Sequence, residues 1–177
     1  MVDLMWAAPD GTRRLLAPSP AVARFVSAVY GFDETVVTPL HARLSASPSS
    51  AAVDVHAPEL GLEVHLRGGW RLGPAPARPG WFTRWVEGPP ARRLLGVRTW
   101  GVSPTGVQEW YPAVSYWPVV RGWASLGGRD LGPLGPLDPP VRFGFSEPPR
   151  RPSMVAVRPV LSDPTGRLEE ALRREPG

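Results

Sequence analysis

The chain has 177 residues and a net charge of +4, a length that fits one domain or one domain with short tails. Its 19 glycines and 24 prolines supply many turns, and 42% hydrophobic residues with 8 tryptophans supply enough apolar surface for a core. Cysteine and lysine are both absent. Their absence excludes disulfides, thiolate metal ligands, cysteine nucleophiles, Schiff-base lysines and a P-loop.

All 20 basic side chains are arginines, and they are spread along the chain as single residues and isolated pairs. This pattern is typical of a GC-rich genome and does not indicate a nucleic-acid patch. No segment approaches the roughly 18 uninterrupted apolar residues of a membrane span, and residues 1–11 lack a signal-peptide pattern. We therefore expect a cytoplasmic protein with no nucleic-acid and no membrane partner.

The first elements are a weak strand at residues 4–6, a turn at residues 9–11 and a clear helix. Ser19 is a good N-cap, Pro20 suits the first helical position, and Gly31 is placed to end the helix. An apolar stripe follows the i, i+3, i+4, i+7 spacing of a buried helix face: Val22, Phe25, Val26 and Val29.

The remaining chain predicts strands separated by turns. Strand patterns occupy residues 35–44 (with an edge or bend at Pro39), 52–57, 62–67, 97–103, 107–111, 114–126 (interrupted at Pro118), 129–131 and 154–160, and Phe143 alternates with Phe145. Short helical pieces are predicted at residues 81–87, 91–95 and 166–174. Hairpin turns are predicted between residues 57 and 62, at 103–106 and at Gly127–Gly128.

These elements predict a mainly β (α+β) fold: a curved antiparallel sheet, closed or half-closed into a barrel or cone. One N-terminal helix would pack on the sheet and a short helix would end the chain. Residues 1–17 are interpreted as an extension or edge strand, 18–161 as a single β-rich domain, and 162–177 as a tail.

The first hairpin carries a candidate metal site. Pairing Ala57 with Leu62 would place four titratable side chains on one sheet face, because the strand period is two: Asp54, His56, Glu63 and His65. Two imidazoles and two carboxylates suit zinc, iron or manganese. The simpler interpretation is a water-facing surface on which His–carboxylate pairs stabilise the hairpin. No metal or other cofactor is therefore expected.

Aromatic side chains are concentrated on the later strands. Those proposed to line a pocket are Trp100, Trp110, Tyr116, Trp117 and Trp123, with Arg98, Glu109 and Arg121 as polar anchors. In a barrel such residues either fill the core or surround an apolar or aromatic ligand. Arg121 is the preferred anchor for a ligand carboxylate.

Sequence motifs for catalysis are lacking. No Gly-x-Ser-x-Gly nucleophile elbow occurs, and the glycine pairs do not join a strand to a helix as dinucleotide-binding loops do. The sequence thus leaves enzymatic activity open and inclines against it.

Several short segments resemble the YqjF-like uncharacterised proteins. They are residues 20–44 with the His-Ala-Arg of residues 41–43, residues 78–80, residues 114–121 with Trp117–Pro118, residues 140–146, and residues 154–160. The resemblance implies an acetoacetate decarboxylase-like fold, a cone-shaped β-barrel with a central hydrophobic cavity. It also implies a chain shortened at its N-terminus, with a barrel that is incomplete or completed by a partner.

Two departures from that family affect function. Ser115 and Tyr116 stand where family histidines are expected, and the decarboxylase's Schiff-base lysine has no counterpart in a lysine-free chain. The leading hypothesis is binding of a small apolar or aromatic molecule in a Trp-lined cavity without Schiff-base decarboxylation. The alternatives are an enzyme using pocket acids, arginines or a His–carboxylate metal site, and an interaction module or homodimer that pairs through strand edges.

Overall fold

A computed structural model describes residues 2–73, 100–103, 106–144 and 148–173. The strands are β1 (Leu4–Ala7), β2 (Arg13–Ala17), β3 (Glu34–Val37), β4 (His41–Ala46), β5 (Ala51–Ala57), β6 (Leu62–Gly68), β7 (Trp100–Val102), β8 (Gln108–Trp110), β9 (Ala113–Leu126), β10 (Arg129–Asp130), β11 (Ser153–Val157) and β12 (Val160–Ser162). The helices are α1 (Pro20–Val29) and α2 (Arg167–Arg173), and residues Pro58–Leu60 form a 3-10 turn.

These described strands form three sheets. One has the order β1-β2-β3, a second has the order β10-β9-β6-β5-β4 with β11 also on β9, and a third has the order β12-β8-β7. The mainly β, largely antiparallel fold is therefore confirmed. Among the strands that the structure describes, no pairing closes a sheet into a barrel.

The β2–α1–β3 unit departs from the predicted antiparallel pattern, because β2 and β3 pair in parallel. Leu15, Leu16 and Ala17 of β2 are buried, and β2 is the middle strand of its sheet. A strand that is buried on both faces does not alternate polar with apolar residues, so β2 could not be predicted from that pattern. The antiparallel β1 strand forms the edge of the same sheet.

Helix α1 begins and ends where the sequence predicts. The Ser19 hydroxyl accepts a hydrogen bond from the Val22 backbone N–H, and Pro20 occupies the first turn. Ala23, Val26 and Val29 form the buried face, and Val22 and Phe25 pack partly buried against the core. Tyr30 ends the helix in an extended conformation, and Gly31 after it does not have a positive φ.

Removing the Ser19 cap should destabilise the protein modestly. We expect Ser19→Ala to lower the free energy of unfolding by about 1 kcal/mol, because the Val22 N–H loses its acceptor. Urea unfolding followed by circular dichroism measures the change, and Ser19→Asp should restore most of it. An alanine variant as stable as the wild type would show that the cap contributes nothing.

The first hairpin has the predicted register, with Ala57 opposite Leu62, His56 opposite Glu63 and Asp54 opposite His65. Strand β6 then pairs with β9. This pairing contains a β-bulge: Arg67 lies opposite Arg121 and Gly68 opposite Val119, so Val120 of β9 is the extra residue. The predicted turn Gly127–Gly128 joins β9 to β10, and both glycines have positive φ values of 57° and 76°.

Two other predicted strands differ from the structure. Residues 35–44 divide at Pro39 into β3 and β4, which belong to separate sheets. Residues 154–160 divide into β11 and β12, since β11 pairs with β9 and β12 with β8. Several predictions lie outside the described residues: the helical pieces at 81–87 and 91–95, residues 97–99, and Phe145.

Two core clusters cover one face of the six-stranded sheet. Leu16, Leu40, Ala57 and Leu62 form the first, and Ala51, Trp117 and Met154 form the second. Each incorporates apolar side chains of β5 and β6, so this face is turned inward and the other outward. Among the described residues, neither helix is long and apolar enough to cross a membrane.

Candidate ligand-binding face

The outward side of the six-stranded sheet carries the functional candidates. Cross-strand registers place on this side, here called the polar face, the residues His41, Arg43, Asp54, His56, Glu63, His65, Arg67, Arg121 and Trp123. All three histidines of the chain thus lie on one surface.

Asp54 organises the centre of the polar face. His65 Nδ1 donates to Asp54 Oδ1 at 2.7 Å, and the Arg67 guanidinium donates to the same oxygen at 2.7 Å. A carboxylate only accepts, so Nδ1 carries the histidine proton. The hydrogen bonds from Arg67 and then His65 lower the pKa of Asp54. This carboxylate is consequently charged at neutral pH and already engaged by two donors.

Trp123 and Arg121 extend the polar face onto β9. The indole of Trp123 stacks on the His65 ring, with centroids 5.2 Å apart and planes 23° from parallel, and 44% of the residue remains exposed. Arg121 is exposed two residues earlier on the same side, opposite Arg67. An oriented aromatic ring and an exposed arginine, two residues apart on β9, therefore share this side of the sheet.

A cleft of about 430 Å³ lies on β4, β5 and β6, next to this pair. It is lined by His41, Ala42, Arg43, Asp54, Val55, His56, Glu63 and His65. The four proposed metal ligands do share the face. Among the described residues, however, no three His, Asp or Glu side chains converge closely enough to hold a metal ion.

The predicted aromatic pocket is distributed over different parts of the fold. Trp117 is buried on the inward face, where its Nε1 donates to the Ser47 carbonyl at 3.0 Å, whereas Trp123 lies on the outward face. Trp100 and Trp110 oppose each other in the β12-β8-β7 sheet. The bulge in β9 separates the two halves of that strand, so a sequence pattern read straight through it brought Trp117 and Trp123 together incorrectly.

The other predicted pocket residues have separate locations. Tyr116 pairs with Val155 of β11 and forms a bridge to Leu72. Arg98 lies outside the described residues. Arg121 is exposed on the polar face, in a position that is open to a ligand.

Glu109 is wholly buried, so it does not share a solvent-facing site with Arg121. Its Oε2 accepts hydrogen bonds from the hydroxyls of Tyr30, at 3.1 Å, and Tyr111. Burial raises the pKa of Glu109 to about 8. Burial also raises the pKa of Tyr111 to about 12, with a smaller contribution from Asp3. Glu109 is therefore a neutral carboxylic acid at pH 7 inside the protein.

Some residues of these sites were not predicted. His41 and Arg43 line the cleft because β4 pairs with β5, which puts His41 opposite His56 and Arg43 opposite Asp54. The sequence pattern that could have predicted this placement is the alternation of His41 and Arg43 with the apolar Ala42 and Leu44 in a strand-forming segment. Tyr30 lies 79 residues from Glu109 in sequence, and no local pattern predicts that contact.

Comparison with known proteins adds no relative of this chain. No protein-family model matches it, and no curated protein or solved structure shows significant similarity to it. The resemblance to the YqjF-like proteins therefore stays a prediction.

Proposed function

We propose that this protein binds a small aromatic carboxylate on the polar face, between Trp123 and Arg121. The observation that carries the proposal is that an exposed, oriented indole and an exposed arginine lie two residues apart on one face of the sheet. Indoles attract aromatic rings, and guanidinium groups bind carboxylates through paired charge-assisted hydrogen bonds.

The neighbouring charges favour an anionic ligand. The negative charge of Asp54 is already paired with the Arg67 guanidinium at 2.7 Å, and His65 donates to the same oxygen. Within the described part of the chain, Arg121 forms no ion pair. The ligand carboxylate would supply the partner that this guanidinium lacks.

The stack with His65 favours binding at Trp123. Because His65 is held by Asp54 at 2.7 Å and its ring lies against the indole, the ring of Trp123 has a supported orientation before a ligand arrives. A side chain that is already ordered loses less conformational entropy on binding. The adjacent 430 Å³ cleft offers room for substituents on the ligand.

The proposed site lies on an outward sheet surface, whereas the sequence predicts an enclosed Trp-lined cavity. Closure of the sheet into a barrel or cone stays a prediction, and binding at Trp123 does not depend on it. A location in the cytoplasm likewise stays a prediction.

Benzoate and benzyl alcohol are the probes that test this site, because they share a ring and differ in charge. We expect benzoate to quench tryptophan emission with a dissociation constant in the millimolar range, since an open face excludes little water. Trp123→Ala should abolish this quenching. Arg121→Gln should weaken benzoate binding by about tenfold through loss of the charged pair and leave benzyl alcohol binding unchanged.

Matched controls are available in the same chain. Trp70→Ala removes an indole that is 74% exposed in the segment after β6, and Arg129→Gln removes an exposed guanidinium from β10 on the opposite sheet face. Both variants should bind benzoate as the wild type does, with isothermal titration calorimetry as the second readout. Unaltered benzoate binding by Trp123→Ala would refute the proposed site.

A further inference from the structure

Strand β4 is an unprotected sheet edge in the part of the chain that the structure describes. It forms the end of the six-stranded sheet, and all six of its residues are exposed, including Leu44 at 74%. Its pairing with β5 has no register shift, and the strand contains no proline. Proteins usually protect such edges with prolines, bulges or several charges, whereas β4 has one formal charge, Arg43.

The other described edges are less suited to pairing. β11 has five residues and a register shift in its ladder, β1 and β3 have four residues each, β7 and β12 three, and β10 two. β4 is thus the longest regular edge strand in the described part of the chain. Its outer backbone groups are placed to continue the sheet.

The sequence of β4 suits pairing with its own copy. A two-fold axis normal to the sheet makes the strands antiparallel and keeps each sheet face continuous. The polar positions of one copy then meet polar positions of the other, and the apolar positions meet apolar positions. The strand period also restricts the register: a residue sits opposite its own copy or opposite a residue an even number of positions away.

Two of these registers place five β4 residues of one copy opposite five of the other. One is centred on Arg43 and the other on Leu44. Centring on Arg43 places two guanidinium groups directly opposite, which is unfavourable. Centring on Leu44 places Arg43 opposite Ser45 and packs two exposed leucines together. Leu44 already lies beside Val53 of β5 on the same face, so the pair would extend an existing apolar surface.

We propose that two copies of this chain associate by antiparallel pairing of their β4 strands, centred on Leu44. The inference is independent of the proposed ligand at Trp123, which lies on β9. It predicts a continuous sheet across the dimer, with the polar faces of both copies on the same side.

Sedimentation velocity of the full chain tests the association. We expect a monomer–dimer equilibrium over a micromolar concentration series, and at least about a tenfold weaker association for Leu44→Lys, which charges the centre of the pairing. Leu131→Lys is the matched control, because Leu131 is 50% exposed and lies outside the strands. Its association should equal that of the wild type.

The absence of cysteine permits a direct test of register. In the proposed dimer the two copies of residue 44 have Cα atoms about 4.5–5.5 Å apart, within disulfide range, whereas the two copies of residue 45 are diagonal neighbours at about 7–8 Å. Leu44→Cys should therefore form a disulfide-linked dimer under mild oxidation, and Ser45→Cys should not.

A wild-type chain that stays monomeric at several hundred micromolar would overturn the proposal. The proposal would also be overturned if Leu44→Lys associated as strongly as the wild type. The same holds if Ser45→Cys formed a disulfide-linked dimer more readily than Leu44→Cys. Each variant is first checked by circular dichroism for a wild-type fold. All three substituted positions, Leu44, Ser45 and Leu131, are exposed, so folding should be retained.

Discussion

Glu109→Gln should stabilise the protein strongly at pH 8 and leave its stability nearly unchanged at pH 4.5. Burial raises the pKa of Glu109 to about 8 in the folded chain, against an ordinary value of 4.5. Between these two pH values the folded state keeps a proton that the unfolded state releases. The wild type therefore loses stability as pH rises through this interval, by about 4 kcal/mol in total from this group.

The glutamine side chain cannot ionise, and it retains an oxygen that accepts from Tyr30 and Tyr111. We therefore expect the difference in unfolding free energy between variant and wild type to grow with pH from about 4.5 and to level off above about 8. Urea unfolding at half-unit pH intervals measures this difference. Taking the difference removes the contributions of other titrating groups.

Glu59→Gln is the matched control. Glu59 is exposed, and its Oε2 also accepts a hydroxyl hydrogen bond, from Thr38 at 3.1 Å. Because this carboxylate is exposed to water, the variant should differ little from the wild type in unfolding free energy. A flat difference for Glu109→Gln would show that Glu109 is not held neutral by burial.

Local patterns predicted the elements whose signals lie within one or two turns of chain. The Ser19–Pro20 start of α1 and the Gly127–Gly128 turn follow from backbone preferences of those residues. The β5–β6 register follows from its short connection and from strict alternation, so the shared face of Asp54 and His65 could be derived from the sequence alone.

Long-range pairing could not be derived in this way. The parallel β2–β3 pair depends on how α1 packs, and the division of residues 154–160 between two sheets depends on the positions of β8 and β9. The candidate site was affected most by the bulge near Val120, which changes which side chains of β9 face outward. Sequence alternation alone contains no marker for an inserted residue of this kind.

Trp117→Ala should be among the most destabilising single substitutions in the chain, whereas Trp123→Ala should cost little. Trp117 is 7% exposed and packs against Ala51 and Met154, and Gly68 leaves space for it, since a Cβ at Gly68 would lie 3.0 Å from the Trp117 Cβ. Deleting the indole leaves a cavity in the core and should lower the free energy of unfolding by about 3–5 kcal/mol.

Two further variants separate the contributions to this effect. Trp117→Phe keeps an aromatic ring and removes the hydrogen bond to the Ser47 carbonyl, so it should cost about 1–2 kcal/mol. Trp123→Ala removes an indole of the same size from the outward face, where 44% of the residue already contacts water, and should cost less than about 1 kcal/mol. Guanidinium unfolding of the three variants measures the order. If Trp123→Ala were as destabilising as Trp117→Ala, the two tryptophans would not lie on opposite faces of the sheet, and the ligand site proposed at Trp123 would lose its basis.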